Sequence, residues 1–105
     1  MGIEKNVVNA YILMMKALAN ETRLSILYTL HEKPRKWTDL LFELRVNPKS
    51  LRDHLAFLQK CGLVRRRTPV GFELTNAAKA FIEISLEDII ATAKQAADIA
   101  GNQSS

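Results

Sequence analysis

The chain has 105 residues, 48% of them hydrophobic, which is enough for one small domain with a single core. No apolar run reaches the ~18 residues that a membrane span needs. The single cysteine excludes an intramolecular disulfide. We therefore expect one cytoplasmic domain over residues 1–105, without membrane attachment.

The positive charge is concentrated in the middle of the chain. The net charge is +4, but residues 33–67 hold ten Lys and Arg against three Asp and Glu, a local charge of +7. The remainder holds five cations and eight acids, or −3. Cationic side chains neutralise nucleic-acid phosphates and release condensed counterions, so this distribution predicts nucleic-acid binding. A basic surface that serves only solubility is the alternative.

Two helices are predicted before the basic segment. The first covers Glu4 to Ala19, where apolar residues recur three and four positions apart. The second runs from Glu21 to His31, and we expect it to bury Leu24, Leu27 and Leu30. Its cap is Asn20, because an Asn side chain accepts a hydrogen bond from a free backbone amide.

A helix-turn-helix is predicted next. Thr38 is expected to cap a short helix over residues 39–44, which a turn at residues 45–46 ends. Asn47 caps the following helix, and Pro48 occupies its first position, where a missing amide hydrogen costs nothing. Gly62 ends this helix in a left-handed conformation.

The second helix of this motif has two distinct faces. At 100° per residue, Leu51, Leu55 and Leu58 form one buried stripe. The opposite face is polar and cationic around the small residue Ala56, which suits close approach to a DNA major groove. An ordinary amphipathic surface helix is the alternative.

The predicted DNA contacts of the helix-turn-helix lie on this outer face and its edges. They are Thr38, Asn47, Lys49, Ser50, Arg52, Asp53, His54 and Lys60. We expect Arg52 and Lys49 to read guanine edges or bind phosphate. His54 lies between the two faces, where it either contacts a phosphate or packs and makes a polar contact inside the protein.

A basic hairpin, the wing, is predicted after Gly62. One strand begins at residues 63–64, and Phe72 and Leu74 belong to its partner. Between them, Arg65, Arg66 and Arg67 are predicted to contact the DNA backbone or minor groove. Successive strand residues point to opposite faces, so at least one arginine must point away from DNA or pair with an acid such as Glu73.

The terminal helices predict a homodimer. The last helix, capped by Thr75, should run from Asn76 to about Ala100 and leave residues 101–105 as a frayed tail. The first helix carries more apolar residues than one side of a small core can absorb, and the last helix is long for a domain of this size and has an apolar face. Both could still cover only their own domain. The predicted dimer contacts are Ile3, Val7, Tyr11, Met14, Ile82, Leu86, Ile89, Ile90, Ala93 and Ala97.

Three segments resemble the ArsR-like (arsenic-repressor) winged helix-turn-helix regulators of bacteria and archaea. They are "ALANETRLSILYTL", "HLAFLQKCGLVRRR" and "GFELTNAAKAF", which lie within residues 15–81. The matching positions are residues 20–24, 54–55, 62–64 and 74–75. The resemblance implies a mainly α winged-helix fold with a small β-hairpin, and a dimer that binds DNA through the helix over residues 47–61.

The chain departs from the metal-sensing members of that family. Those members carry a cysteine pair in the helix before the turn, or Asp, His and Glu ligands along the last helix. In this chain the helix before the turn has no cysteine, and the last helix has no histidine. We therefore expect no metal and no cofactor. Cys61 is expected to be a buried thiol, with redox sensing as the alternative.

The function predicted from the sequence is a transcriptional regulator that binds double-stranded DNA sequence-specifically, and not an enzyme. Two histidines and one cysteine offer no nucleophile with an adjacent base. Two alternatives remain open. One is an architectural DNA-binding protein without a defined operator, and the other is a winged-helix module that binds an acidic protein or RNA.

Overall fold

The computed structural model describes residues 4–69 and 71–103, except for the side chains of residues 84–87, 89 and 103. This part of the chain is mainly helical with one antiparallel hairpin. In chain order, its elements are α1 (Lys5–Leu18), α2 (Glu21–Glu32), α3 (Trp37–Leu44), α4 (Pro48–Lys60), β1 (Val64–Arg67), β2 (Gly71–Leu74) and α5 (Asn76–Gln103). None of the helices in the described ranges combines the length and apolar character that a membrane crossing requires.

Three predicted helix caps are confirmed. The Asn20 side chain accepts a hydrogen bond from the Arg23 amide at 3.0 Å. The Asn47 side chain accepts from the amide of Lys49 at 2.8 Å. The Thr75 hydroxyl accepts from the Ala78 amide at 3.2 Å. Each cap satisfies a backbone donor that the first turn of a helix leaves free, so these residues set where α2, α4 and α5 begin.

Two predicted boundaries are wrong. Thr38 does not cap α3, because the helix already begins at Trp37. The Asp39 carboxylate accepts from the Lys36 amide at 3.3 Å, which moves the start of the helix ahead of Thr38. Residues 101–103, which the sequence assigned to a frayed tail, belong to α5 instead, and residues 104–105 lie outside the described residues. A single glycine at position 101 costs a helix only about 1 kcal/mol and does not end it.

The core lies where α2, α3 and α4 meet the hairpin and the start of α5. Leu51, Leu55 and Leu58 are all buried, which confirms the predicted stripe of α4. The prediction for α2 was partly wrong, because Ile26 is fully buried while Leu24 is only half-buried. The remaining buried hydrophobic residues are Ala17, Leu27, Leu30, Leu40, Leu63, Val64, Phe72, Leu74, Ala78 and Ile82.

The hairpin has a third extended neighbour that the sequence did not predict. In addition to the β1–β2 pairing, the Arg35 amide donates to the Phe72 carbonyl at 3.0 Å, and the Phe72 amide donates back at 2.8 Å. This bridge joins the α2–α3 connection to the wing. The wing is therefore fixed to the helix-turn-helix and does not project as an isolated hairpin.

Candidate nucleic-acid interface

The outer face of α4 is exposed as the sequence predicted. Lys49, Ser50, Arg52, Asp53 and Lys60 are all accessible, and Ala56 lies among them. Thr38 and Asn47 are also exposed, but the side-chain oxygen of the latter is occupied by capping. α4 therefore presents several donors and one carboxylate around a small central residue, an arrangement that fits the edges of bases and the adjoining phosphates.

The three wing arginines fall on two faces. Arg65 Nε donates to Glu73 Oε1 at 2.7 Å, and Arg67 Nη1 donates to Glu73 Oε2 at 3.0 Å. Arg66 lies on the other face, with its guanidinium carbon 5.6 Å from the centre of the Phe72 ring. The predicted pairing of a wing arginine with Glu73 is confirmed, and it involves two arginines. The wing therefore carries one arginine without an acidic partner among the described residues.

The ion pairs of the wing depend on the charge of Glu73. Burial raises the pKa of this carboxyl group, but the hydrogen bonds and charges of Arg65 and Arg67 outweigh burial and hold the pKa below its ordinary value. Because the folded state has the lower pKa, both ion pairs persist at neutral pH and are lost only as the pH falls through that lowered pKa. The two arginines are thus held by Glu73 under physiological conditions.

An open groove of about 470 Å³ separates α4 from the wing. Arg52 and Ala56 of α4 line one side of this groove, and Arg66 of the wing lines the other. The remaining lining residues are Trp37, Leu41, Pro48, Leu55, Gln59 and Phe72. Within the described part of the chain, neither arginine of the groove forms an ion pair with an acid. The groove therefore brings together two free positive charges from the two elements that the sequence assigned to DNA.

Arg35 does not add to this surface. The sequence counted it among the cations of the basic segment, but the residue is 9% exposed. Its guanidinium bonds Glu32 Oε2 at 2.9 Å and also pairs with Glu43. Seven cations of the basic segment remain exposed with no acidic partner among the described residues. They are Lys33, Lys36, Arg45, Lys49, Arg52, Lys60 and Arg66.

His54 lies against Arg23 on the edge of α4. The imidazole is half-buried, and its Nδ1 is 3.3 Å from Arg23 Nη1. This is the arrangement of packing and internal polar contact that the sequence allowed. Because the arginine can only donate, Nδ1 is the acceptor of this contact. The sequence did not identify Arg23, since nothing in its spacing indicates a contact 31 residues away.

The residues predicted for the dimer interface separate into three groups. Val7, Tyr11 and Ile90 are 56%, 60% and 48% exposed, and Ala93 and Ala97 are also accessible. Met14 is half-buried and packs against the core, while Ile82 is buried within it. Ile3 and the side chains of Leu86 and Ile89 lie outside the described residues. The assignment of Ile82 to the dimer interface is thus corrected, because the start of α5 packs on its own chain.

Further exposed apolar residues lie on the same two helices as the exposed part of that prediction. On α1, Val8, Ile12 and Met15 add to the exposed apolar residues. On α5, every described side chain from residue 88 to residue 102 is exposed, including Ile99 at 58%. Both terminal helices therefore present apolar surface that their own chain does not cover.

Cys61 is a half-buried thiol at the end of α4. Its Sγ lies 3.8 Å from the Leu13 carbonyl of α1. Burial raises the pKa of the thiol, and the charges of Arg23 and Lys60 oppose this effect without cancelling it. The group is therefore a protonated thiol at neutral pH, which is the less reactive form. Across the described residues, no three His, Cys, Asp and Glu side chains lie close enough together to hold a metal ion.

Comparison with known proteins gives concordant matches. A family model described as "Bacterial regulatory protein, arsR family" matches residues 20–66. The transcriptional activator HlyU of Vibrio cholerae is 37% identical to this chain over 86 residues, which cover 78% of this chain and 79% of that protein. The family match over residues 20–66 includes α2, α3, α4 and the first three residues of β1.

Solved structures share the fold. HlyU from Vibrio cholerae has a TM-score of 0.69 at 35% identity, covering 78% of this chain and 92% of that chain. A homodimeric winged helix-turn-helix DNA-binding domain from Mycobacterium bovis has a TM-score of 0.69 at 24% identity, covering 87% and 89%. The fold is a winged helix-turn-helix, as the sequence predicted.

Proposed function

This chain belongs to the arsR family of bacterial regulatory proteins, and we propose that it regulates transcription as a homodimer that binds double-stranded DNA sequence-specifically. α4 enters the major groove and reads base edges, while the wing contacts the adjacent backbone. The observation that carries this proposal is the groove that Arg52 and Arg66 both line, without acidic partners among the described residues. Duplex DNA is the polyanion that such paired cations fit.

The dimer rests on the exposed apolar surfaces of α1 and α5. A monomer would leave Val7, Tyr11 and Ile90 in water, and an isologous interface would cover them in both subunits. Two-fold symmetry would place two α4 helices about 34 Å apart, one turn of DNA, on an inverted repeat. The architectural and protein-binding alternatives share the fold and differ in what they bind.

A salt titration of DNA binding tests the proposed function. The purified protein is titrated with a duplex from upstream of its own gene and with a random duplex of equal length. We expect tighter binding to the upstream duplex that persists at physiological salt, because base contacts survive where phosphate contacts are screened. Equal and steeply salt-dependent binding to both would instead favour the architectural alternative. Binding to neither would favour the protein-interaction module.

The wing provides a prediction with a matched control. Arg66→Ala should lower the affinity for both duplexes by the same factor. It should also reduce the slope of log K against log salt by about 1, the value for one phosphate contact. Arg67→Ala removes the same charge, but Glu73 holds this guanidinium at 3.0 Å, so we expect a smaller change. Slopes from electrophoretic or anisotropy titrations at four salt concentrations measure the difference. Equal changes in slope for the two variants would show that the ion pair with Glu73 does not reduce the contribution of Arg67 to DNA binding.

A further inference from the structure

Arg23 joins the end of α1 to one side of α4. Its Nη2 donates to the Lys16 carbonyl at 2.7 Å, and its Nε donates to the Ala17 carbonyl at 3.1 Å. Both carbonyls belong to the last turn of α1, where carbonyls lack the donor four residues on within the helix and the dipole favours a cation. The Lys16 carbonyl also accepts from the Ala19 amide at 3.3 Å. The guanidinium therefore caps the C-terminal end of α1.

The same guanidinium contacts two residues of α4. Its Nη1 lies 3.3 Å from His54 Nδ1, and its central carbon lies 4.6 Å from the centre of the Phe57 ring. These residues are three positions apart, so they share one side of the helix beside the outer face that carries Asp53 and Ala56. The polar contact with His54 and the cation–π contact with Phe57 both come from one planar group, so Arg23 links the end of α1 to one defined side of α4.

α1 and α4 have different proposed partners. α1 carries the apolar stripe that includes Val7 and Tyr11, and α4 carries the DNA-reading face. Any rotation of α4 against α1 would change the distance between the two DNA-reading faces of a dimer. A two-fold DNA site has a fixed half-site spacing, so this distance decides which spacing the protein accepts.

We propose that Arg23 is a positioning residue for DNA recognition, which holds α4 at a fixed angle to the dimerisation helix and thereby sets the half-site spacing. This role rests on the proposed function, since it requires a dimer on a two-fold DNA site. It does not require Arg23 to touch DNA. His54 takes part through Arg23, as the acceptor that the guanidinium engages on α4.

Spacing variants of the DNA site test this role. An operator is first selected from random duplexes with the unaltered protein, and versions with one or two base pairs inserted at its centre, and a single half-site, are prepared. We expect Arg23→Gln to bind the selected operator about tenfold more weakly. The affinity of this variant for the lengthened operators and for the half-site should equal that of the unaltered protein. The preference for one spacing is thus lost while half-site recognition is kept.

Two controls separate positioning from folding and from charge. Lys79→Gln removes an exposed cation of α5 and should leave the spacing preference intact. His54→Phe keeps a ring of similar volume but removes the acceptor, so it should reduce the spacing preference in the same direction as Arg23→Gln. It takes the place of Arg23→Gln as the test if that variant does not fold. Thermal unfolding of each variant gives the folded fraction used to correct the affinities.

Two results would overturn the proposal in distinguishable ways. If Arg23→Gln weakens every duplex by the same factor, or keeps the original spacing preference, then Arg23 only stabilises the fold. If the unaltered protein selects no operator, or shows no spacing preference, then the proposed function fails and the role of Arg23 fails with it.

Discussion

Gly71→Ala is expected to destabilise the protein by about 3 kcal/mol. Gly71 has φ +111°, a conformation that a residue with a Cβ adopts only under strain. A Cβ at this position would also press against the Arg35 carbonyl oxygen and lie 2.8 Å from Lys36 Cα. Both neighbours are backbone atoms held by the bridge to Phe72, so they cannot move without loss of that pairing.

Gly62→Ala is the matched control for this change. Gly62 also has a positive φ, +77°, but a Cβ there would meet no atom within 4 Å. Only the conformational cost remains, about 1 kcal/mol. Urea unfolding at one fixed protein concentration gives both values, because the stability of a dimer depends on concentration. Equal losses for the two variants would show that the close approach at Gly71 contributes nothing.

The sequence predicted the elements whose signals are local. Asn47, Pro48 and Gly62 mark the start and end of α4 within the chain itself, and the leucine stripe between them fixes which face is buried. Both kinds of signal depend on residues a few positions apart. This is why the helix-turn-helix and the exposure of Arg52 and Lys49 were predictable. Thr38 was wrongly predicted to cap α3, because the Asp39 side chain bonds the Lys36 amide and the helix begins before Thr38.

The contacts between distant segments could not be predicted in this way. Arg35 looked like one more surface cation, but its backbone pairs with Phe72 and its guanidinium is enclosed by Glu32 and Glu43. Arg23 and His54 are 31 residues apart. Such pairings depend on how the helices pack, and neither periodicity nor capping carries that information.

The wing shows a partial success of the same reasoning. Alternation along β1 predicted that the three arginines could not share a face, and the register pairs Arg65 with Glu73 and Arg66 with Phe72. What alternation could not predict is that one carboxylate would hold two arginines and leave the third in the groove beside α4. The basic segment is therefore less uniform than its net charge suggested.

Arg52→Ala is expected to reduce sequence discrimination more than it reduces binding in general. Arg52 is exposed on α4, lines the groove beside Ala56 and has no acidic partner among the described residues. An arginine that bonds a guanine edge with two hydrogen bonds contributes about 1–3 kcal/mol of discrimination. We therefore expect affinity for a selected operator to fall by roughly 5- to 150-fold. Affinity for a random duplex should fall far less.

Lys60→Ala distinguishes base reading from simple charge loss. Lys60 is an exposed cation on the same helix, near its C-terminal end, and we propose that it contacts only phosphate. Its removal should lower the affinity for the operator and for the random duplex by the same factor, because phosphate contacts carry no sequence information. The ratio of the two dissociation constants, measured for each variant at one salt concentration, separates the roles. If Arg52→Ala left this ratio as high as Lys60→Ala does, Arg52 would be a phosphate contact and base reading would belong to other residues of α4.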